Sequence, residues 1–597
     1  MEQTTTEKRL PASLLFIALC VITASFFLAA CVLYVPAVSD AVIQLLQNTL
    51  IHRALRKPWL WISRFKHFFF MAATIPAVIL YLKYTAGGKS ICRTVKEDAA
   101  SFFAIFRRND IRWYAALIAG LFAVSYIKLL VSGFRFEDDI GRDFDGIAGW
   151  LWGDSRYITR LLSLVIHVNI PLLPQIAPLP QILTLLILIP AVILLAWLVT
   201  DGRINLFSIL SASFICLTPF FAGNIAYQFD SPYMALSILL PIAAFLFRKN
   251  LHTFIFMSFI FLECTCMTYQ ASTSIFIVLT AITAWQMWLD KQDRHTLLAF
   301  TGAAAAVFAI SLILFKLFYM DIIEYDPTQY YSTRVIPSQL GITLMRNSAA
   351  YIQKTFLFYG NSWSQILLFF IFVSFIAVSV RRSKRNMLLT SVSSLALLAV
   401  TWVLSYGAFL VFERPMMEVR ALTGFNVFIA VLCIFITMPR GKELPVLRRT
   451  AVILLLYSNI VFLQVFTNAV KTQEKYQDFR CTLLLSDMNG IAKPDMEYSL
   501  MFDGSIGYSN ALQAEMHQYP LLRELVLLMF RSNNIWNNDY VENYNFHAAR
   551  CKVKPADLVL IKDTFYHTIY AGKDNTFYVI MKNPHGIIED QQKRIIK

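Results

Sequence analysis

Runs of about twenty apolar residues, separated by short polar stretches, set the pattern of this chain. Each run is long enough to cross the ~30 Å hydrocarbon core of a bilayer as a helix. They predict spans near 12–35, 67–83, 112–132, 179–199, 204–224, 232–248, 251–268, 273–290, 297–319, 364–380, 387–410, 421–438 and 449–468, about thirteen in all. The first run follows Lys8 and Arg9, exceeds a signal-peptide core and shows no cleavage site, so it reads as a retained helix. Between Asp145 and Leu173, the apolar positions Ile147, Leu151, Ile158, Leu161, Leu162, Leu164 and Val165 predict a helix lying on the membrane surface, stopped by the prolines from Pro171 to Pro180. After about residue 470 the pattern changes. Short apolar runs at 482–485, 498–502, 558–561 and 576–581 alternate with turn residues and predict strands, and 521–530 predicts a helix. The expected architecture is a polytopic α-helical membrane protein with a small C-terminal α/β domain. Its parts are an N-terminal membrane segment with two helices and a basic cytoplasmic linker (1–110), a membrane core (111–468) and the α/β domain (469–597).

Composition agrees with the pattern. Of 597 residues, 57% are hydrophobic and 15% charged, against about 25% charged in soluble domains. The net charge of +15 does not point to nucleic acid, because the basic residues form short clusters between apolar runs rather than one stripe. Clusters at 381–385 and 440–449 mark the inside by the positive-inside rule. That places the acidic segment after 132 outside; the basic residues from Arg53 to Lys66 run against the alternation. Nine cysteines are scattered without zinc-site spacing, Cys264 and Cys266 reading as packing. Cys481 and Cys551, both in the polar C-terminal region, are bridged or free with equal weight. Neither internal repeats nor a nucleotide-binding glycine fingerprint occurs.

The candidate chemistry gathers at predicted span ends. Directly after the span at 112–132 stand Glu137, Asp138, Asp139, Arg142, Asp143 and Asp145. Adjacent carboxylates at a membrane boundary cannot all ionise easily, so at least one pKa should rise, which suits a general base acting on a hydroxyl. A solvated acidic loop explains the same residues equally well. Arg142 and Arg156 would balance the charge or grip a phosphate. Asp230, with Tyr233 close behind, is either a helix cap for the span starting at Pro232 or a site residue. Tyr269 and Gln270 form a further polar turn on the same side. Arg414 and Arg420 lie where positive charge is disfavoured and call for an anion: a lipid phosphate, the acidic loop, or Glu413 and Glu418 beside them. The carboxylates at 137–145 could hold a divalent ion, but no metal or other cofactor is expected. Few ionisable residues fall inside spans, Glu263 and Lys316 being the nearest, whereas coupled carriers place such groups at the midplane.

Three motifs carry a family resemblance. Phe136-Glu137-Asp138-Asp139-Ile140-Gly141-Arg142, the stretch from Asn224 through Tyr227, Phe229, Asp230, Ser231, Pro232 and Met234 to Ser237, and Arg420-Ala421-Leu422-Thr423-Gly424-Phe425 resemble the type II serotype-converting (Gtr-type) O-antigen glucosyltransferases, from about residue 110 to the end of the membrane region. The resemblance implies a GT-C-like, inverting, lipid-phosphosugar-dependent glycosyltransferase in a bacterial inner membrane. It would move glucose from undecaprenyl phosphate-glucose to O-antigen units of lipopolysaccharide at the periplasmic face, with the C-terminal domain also periplasmic, and would work alongside a donor-lipid synthase and a flippase. Carried onto this chain, Asp138 or Asp139, with Glu137 in the same cluster, would be the base. Arg142, Arg414 or Arg420 would stabilise the departing lipid phosphate. Arg156, Asp230, Tyr233, Tyr269 and Gln270 would line the substrate. The competing readings are transfer of another lipid-linked sugar to lipid A or protein, and a transporter or flippase of lipid-linked sugars.

Overall fold

The computed structural model describes residues 12–33, 38, 58–146, 155–168, 172–320, 331–438, 446–493, 496–551, 554, 557–573 and 575–584. Among them, seven helices are long and apolar enough to cross a membrane: Asn109–Ser132, Leu179–Val199, Gln270–Leu289, Arg294–Tyr319, Ser362–Arg382, Met387–Leu404 and Val446–Asn489. The count of about thirteen is therefore not reached by length. Most of the other expected spans form shorter apolar helices, such as Ser231–Phe247, Leu251–Cys266 and Thr423–Thr437. The expected span at 204–224 is no continuous helix. Asn205 starts the helix Leu206–Ala212 with a capping box, a 3₁₀ turn follows at Ser213–Ile215, and the chain turns again into Ala222–Ala226. Pro219 disfavours helix at Thr218 and cannot donate a backbone hydrogen bond. This stretch is apolar because it is core, with Phe214, Ile215, Leu217, Phe220 and Phe221 wholly buried. Thr423–Thr437 is buried at every residue and packs against Leu206–Ala212, Ser274–Leu289, Ser362–Arg382 and Leu179–Val199. It is the hub of the bundle.

Two polar stretches turn out helical. The linker after the second span forms Ala86–Ile105, its first turn capped by the Thr85 side chain accepting from Gly88 N–H. Leu340–Leu357 lies in what the pattern reads as a long loop. Its buried face is Thr343, Asn347, Tyr351, Lys354 and Thr355, a helical spacing of polar groups that a hydrophobicity pattern does not register.

The surface helix is observed as Tyr157–His167, while Ile147 and Leu151 lie outside the described residues. Its polarity is inverted. Thr159, Ser163 and His167 are buried, and Leu161, Val165 and Val168 are exposed. Such a helix turns its polar stripe inward, and its apolar outer face suits lipid.

The helix Val446–Asn489 runs through residue 469 without a break. The expected strand at 482–485 is part of it, since Cys481, Leu484 and Met488 bury on one helical face. Beyond it stands a mixed five-stranded sheet of β1 (Tyr498–Gly504), β2 (Ala548–Arg550), β3 (Val559–Asp563), β4 (His567–Ala571) and β5 (Thr576–Met581), in the order β2-β1-β5-β4-β3. β1 pairs parallel with β2 and β5, and β4 pairs antiparallel with β5 and β3. The expected helix at 521–530 is a single turn, Leu522–Leu525, because the chain goes extended at Val526. Polar side chains on the long helix hold this region in place. Gln473 bonds Gly507 O at 3.2 Å, Gln477 accepts from Met529 N–H at 2.9 Å, and the fully buried Arg480 reaches Lys582 O at 2.8 Å. Cys481 and Cys551 are not joined in a disulfide.

Candidate active site

The acidic segment is shaped by two residues of positive φ. Gly133 (φ 68°) ends the helix Asn109–Ser132, and Glu137 (φ 42°) turns the chain into the eight-residue helix Asp138–Asp145. A positive φ outside glycine is uncommon and persists where surroundings impose it. Here they do: Phe134 and Phe136 are buried on either side of Arg135, and the Glu137 carboxylate accepts a 2.5 Å hydrogen bond from Tyr227.

Asp139 is the anchor. It is 1% exposed; its carboxylate pairs with Arg142 at 2.8 Å and accepts from the backbone N–H groups of Gln228 (2.9 Å) and Phe229 (3.3 Å). Arg142 stacks over the Phe229 ring at 3.6 Å and lies 4.0 Å from Asp230. The acidic helix is thus fastened to the turn at 224–233. Next to it, Arg420 pairs with Glu418 at 2.7 Å and sits over the Tyr227 ring at 4.3 Å. All three sequence motifs meet here.

Several groups in this place are left without hydrogen bonds. Asp138 accepts none among the described residues, and burial raises its pKa to about 7, with Asp230 and Glu137 adding to the rise while Arg420 and Arg142 oppose it. Burial also lifts Asp139, to about 6, against the pull of Arg142 and the two backbone N–H groups. Asp230 begins the helix Ser231–Ala244 but makes no side-chain cap bond, and its buried Oδ1 has no hydrogen-bond partner. The Tyr233 and Tyr269 hydroxyls are likewise buried and unbonded. Arg160, on the inward stripe of Tyr157–His167, has buried Nε and Nη1 atoms with no hydrogen-bond partner and lies within electrostatic reach of Tyr233. An unsatisfied buried polar group is costly. Several facing one another beside a near-neutral carboxylate describe a place that a polar, anionic ligand would complete.

The remaining expected residues fall as follows. Arg156 lies over the Tyr269 ring at 5.2 Å, beside Gln270 in the next turn. The Arg414 carbonyl accepts from Ser332 N–H at 2.7 Å. Glu137, Asp139 and Asp143 turn to Tyr227, Arg142 and Arg135 respectively, so these carboxylates do not converge as a cation's ligand set. The sequence reading passed over Arg160 and Trp536, while Tyr227 and Gln228 stand in the second motif without a role of their own. Arg160 and Arg156 share one helical face, four residues apart, and that spacing was a usable signal.

The C-terminal region reaches this site. A Cβ on Gly141 would meet the Trp536 ring at 2.6 Å, so the acidic helix and Trp536 are in direct contact. Arg135 bonds Asp143 at 2.6 Å and Asn543 at 2.7 Å. Between these elements and the long helix lies a cleft of about 200 Å³, walled by Arg135, Glu474, Asp478, Tyr540 and Tyr544. Both tyrosine hydroxyls donate to Asp478, at 2.6 and 2.8 Å.

A bundle of apolar helices with a buried acid–arginine site at one end, roofed by a small sheet domain, defines the class: a membrane protein whose polar chemistry sits at one face. The family model described as Glucosyl transferase GtrII matches residues 128–437, more than half of the chain and all three motifs. The chain belongs to that family of membrane glycosyltransferases. It is also similar to an uncharacterized 55.3 kDa protein in the gtrB 5' region of Salmonella phage P22, with 29% identity over 143 residues, 23% of this chain and 27% of that protein. The match thus spans about a quarter of that relative. No solved structure matches.

Proposed function

We propose that the protein is an inverting glucosyltransferase that takes glucose from undecaprenyl phosphate-glucose and adds it to O-antigen units. The observation that carries this is Asp138, a half-buried carboxylate with a near-neutral pKa and no hydrogen bond among the described residues, set among arginines. An acceptor hydroxyl oxygen attacks the anomeric carbon of the bound glucose while Asp138 takes the hydroxyl proton. The bond from that carbon to the phosphate oxygen breaks, and its electron pair leaves with the lipid phosphate. Arg420, Arg142 and Arg160 face the charge that develops there. Attack opposite the leaving group inverts the anomeric centre. Asp230, Tyr233, Tyr269 and Gln270 line the sugar, and Arg156 supports Tyr269. Glu137 and Asp139 hold the base in place rather than reacting.

In this reading the catalytic face and the C-terminal region are periplasmic in a bacterial inner membrane, residues 1–110, 111–468 and 469–597 act as entry segment, catalytic core and roof, and the shorter apolar helices complete the crossing of the bilayer. A donor-lipid synthase and a flippase supply the substrate. The acceptor approaches through the cleft beside Tyr540 and Tyr544, whose hydroxyls, with Asp478, Glu474 and Asn543, suit a sugar.

The test is product analysis with purified protein, labelled undecaprenyl phosphate-glucose and O-antigen acceptor, comparing wild type with Asp138→Asn and Asp139→Asn. Transfer by wild type that Asp138→Asn abolishes in a folded protein supports the reading. Failure of folded wild type with every polyprenyl phosphate sugar would remove it.

A further inference from the structure

The polar side chains of Leu340–Leu357 serve a neighbouring segment, the one that leads to Arg420. Tyr351 bonds the Ser405 hydroxyl at 2.8 Å, and Asn347 donates to Leu410 O at 3.0 Å and to Phe412 O at 2.9 Å. Arg346 donates to Glu413 O, and Lys354 to Met417 O. Between the 3₁₀ turns Gly407–Val411 and Val419–Ala421, residues 412–418 are irregular. An irregular backbone has to find donors outside itself, and one helix supplies several of them. Its outer side carries the exposed Ile342, Met345 and Leu357, so it repeats the inverted polarity of Tyr157–His167.

Lys354 differs from the others in having a partner in a distant part of the chain. It is 7% exposed, and besides Met417 O its ammonium meets the Glu524 carboxylate at 2.5 Å. Glu524 belongs to the single turn Leu522–Leu525 of the C-terminal region, 170 positions away. Met417 in turn directly precedes Glu418, whose carboxylate pairs with Arg420. On the bundle side, Asn224 of the second motif donates to Arg420 O at 3.1 Å. The stretch from Met417 to Arg420 is thus fastened at both ends. A buried ion pair is weak evidence for stability, because apolar residues of similar volume often replace one without loss. What this pair adds is position: the ammonium that binds the loop carbonyl is neutralised by a carboxylate from another region. Without Glu524 a buried charge loses its counter-ion, and the carbonyl loses a well-placed donor.

We infer that Lys354 and Glu524 are positioning residues for Arg420: Lys354 fixes the loop that ends in Arg420, and Glu524 makes that placement depend on the seating of the C-terminal region. The role of Arg420 in the reaction rests on the function proposed above; the mechanical link does not, and the experiment reads the two separately.

Hydrogen exchange on the full-length protein in mild detergent, followed on peptides covering 409–421, tests the link without substrate. Glu524→Gln and Lys354→Met should exchange there roughly tenfold faster than wild type, the effect of losing one charge-assisted hydrogen bond. Asp557→Asn, at an exposed carboxylate of the same region, should leave these peptides unchanged. Transfer kinetics with labelled donor then locate the consequence. Glu524→Gln should lower kcat about tenfold with little change in KM for the donor. In an Arg420→Gln background the same substitution should cost nothing further, since a residue acting through Arg420 has nothing left to position. Unchanged exchange in Glu524→Gln overturns the inference, and that variant decides the matter if Lys354→Met fails to fold. A kcat loss of equal size in both backgrounds also overturns it, because Glu524 would then act elsewhere. Faster exchange in Glu524→Gln, with no transfer by folded wild type, would support the link and count against the proposed reaction instead.

Discussion

Asp138 and Asp139 are neighbours in the chain but differ in what surrounds them. Asp139 is held by an arginine and two backbone N–H groups, while Asp138 accepts no hydrogen bond among the described residues. Substitution should separate them. Asp138→Asn is expected to cost ~10²–10⁴-fold in transfer, the range for loss of a general base, with little change in thermal midpoint. Asp139→Asn is expected to lower the midpoint as well, because it leaves Arg142 buried beside a neutral amide, a change of about 3–5 kcal/mol for a broken buried pair. Equal midpoints in the two variants would contradict the division. The pH profile follows from the same pair. A base works deprotonated, so the rate should rise with pH, level off above about 7 where Asp138 is ionised, and fall more steeply below about 6, where Asp139 also takes a proton. A flat profile from 5 to 8 with chemistry rate-limiting would remove Asp138 as the base. Arg160→Gln should lower kcat more than it raises KM for the phosphate-bearing donor, as loss of a group facing developing charge does, and steady-state kinetics with varied donor would show it.

At the scale of elements, the sequence was informative where burial and polarity agree. The motifs around Asp138, Asp230 and Arg420 were legible, and the structure brings them together through Asp139, Arg142 and Tyr227. The helix Leu340–Leu357 was not, because it buries Asn347, Tyr351 and Lys354. The continuous span at 204–224 was misread for the converse reason, since apolar residues there serve protein core rather than lipid. Arg160 sits on a helix whose exposed face is apolar, and without a view of that inversion it reads as a membrane-surface cation. The contact of the acidic helix with Trp536 joins residues almost four hundred positions apart, and no local pattern encodes it. It is testable: Gly141→Ala should lower both activity and thermal midpoint, since its methyl would meet the Trp536 ring at 2.6 Å. Combined with Trp536→Ala, the loss should be smaller than the sum of the single losses, the signature of a direct contact. Strict additivity would mean the two do not touch.

At the scale of the whole molecule, the long helix Val446–Asn489 serves both regions. Asn459 bonds Leu217 O and Tyr359 within the bundle, and Gln473, Gln477 and Arg480 bond the sheet domain. At ~1.5 Å per residue its 44 residues measure about 66 Å, roughly twice the thickness of a hydrocarbon core. Being unbroken, it carries phase as well as distance. One residue inserted at position 470 would turn everything beyond by ~100°, swinging Asp478 and its tyrosines off the acidic helix. Seven inserted residues would nearly restore the angle while lifting the sheet by about 10 Å. Transfer assays on both insertions should find both inactive with the bundle still folded; an active seven-residue insertion would show that height over Asp138 does not matter. The roof is set like a key on a shaft, correct at one rotation and one depth, so the length of this helix is as much a part of the catalytic design as the carboxylates beneath it.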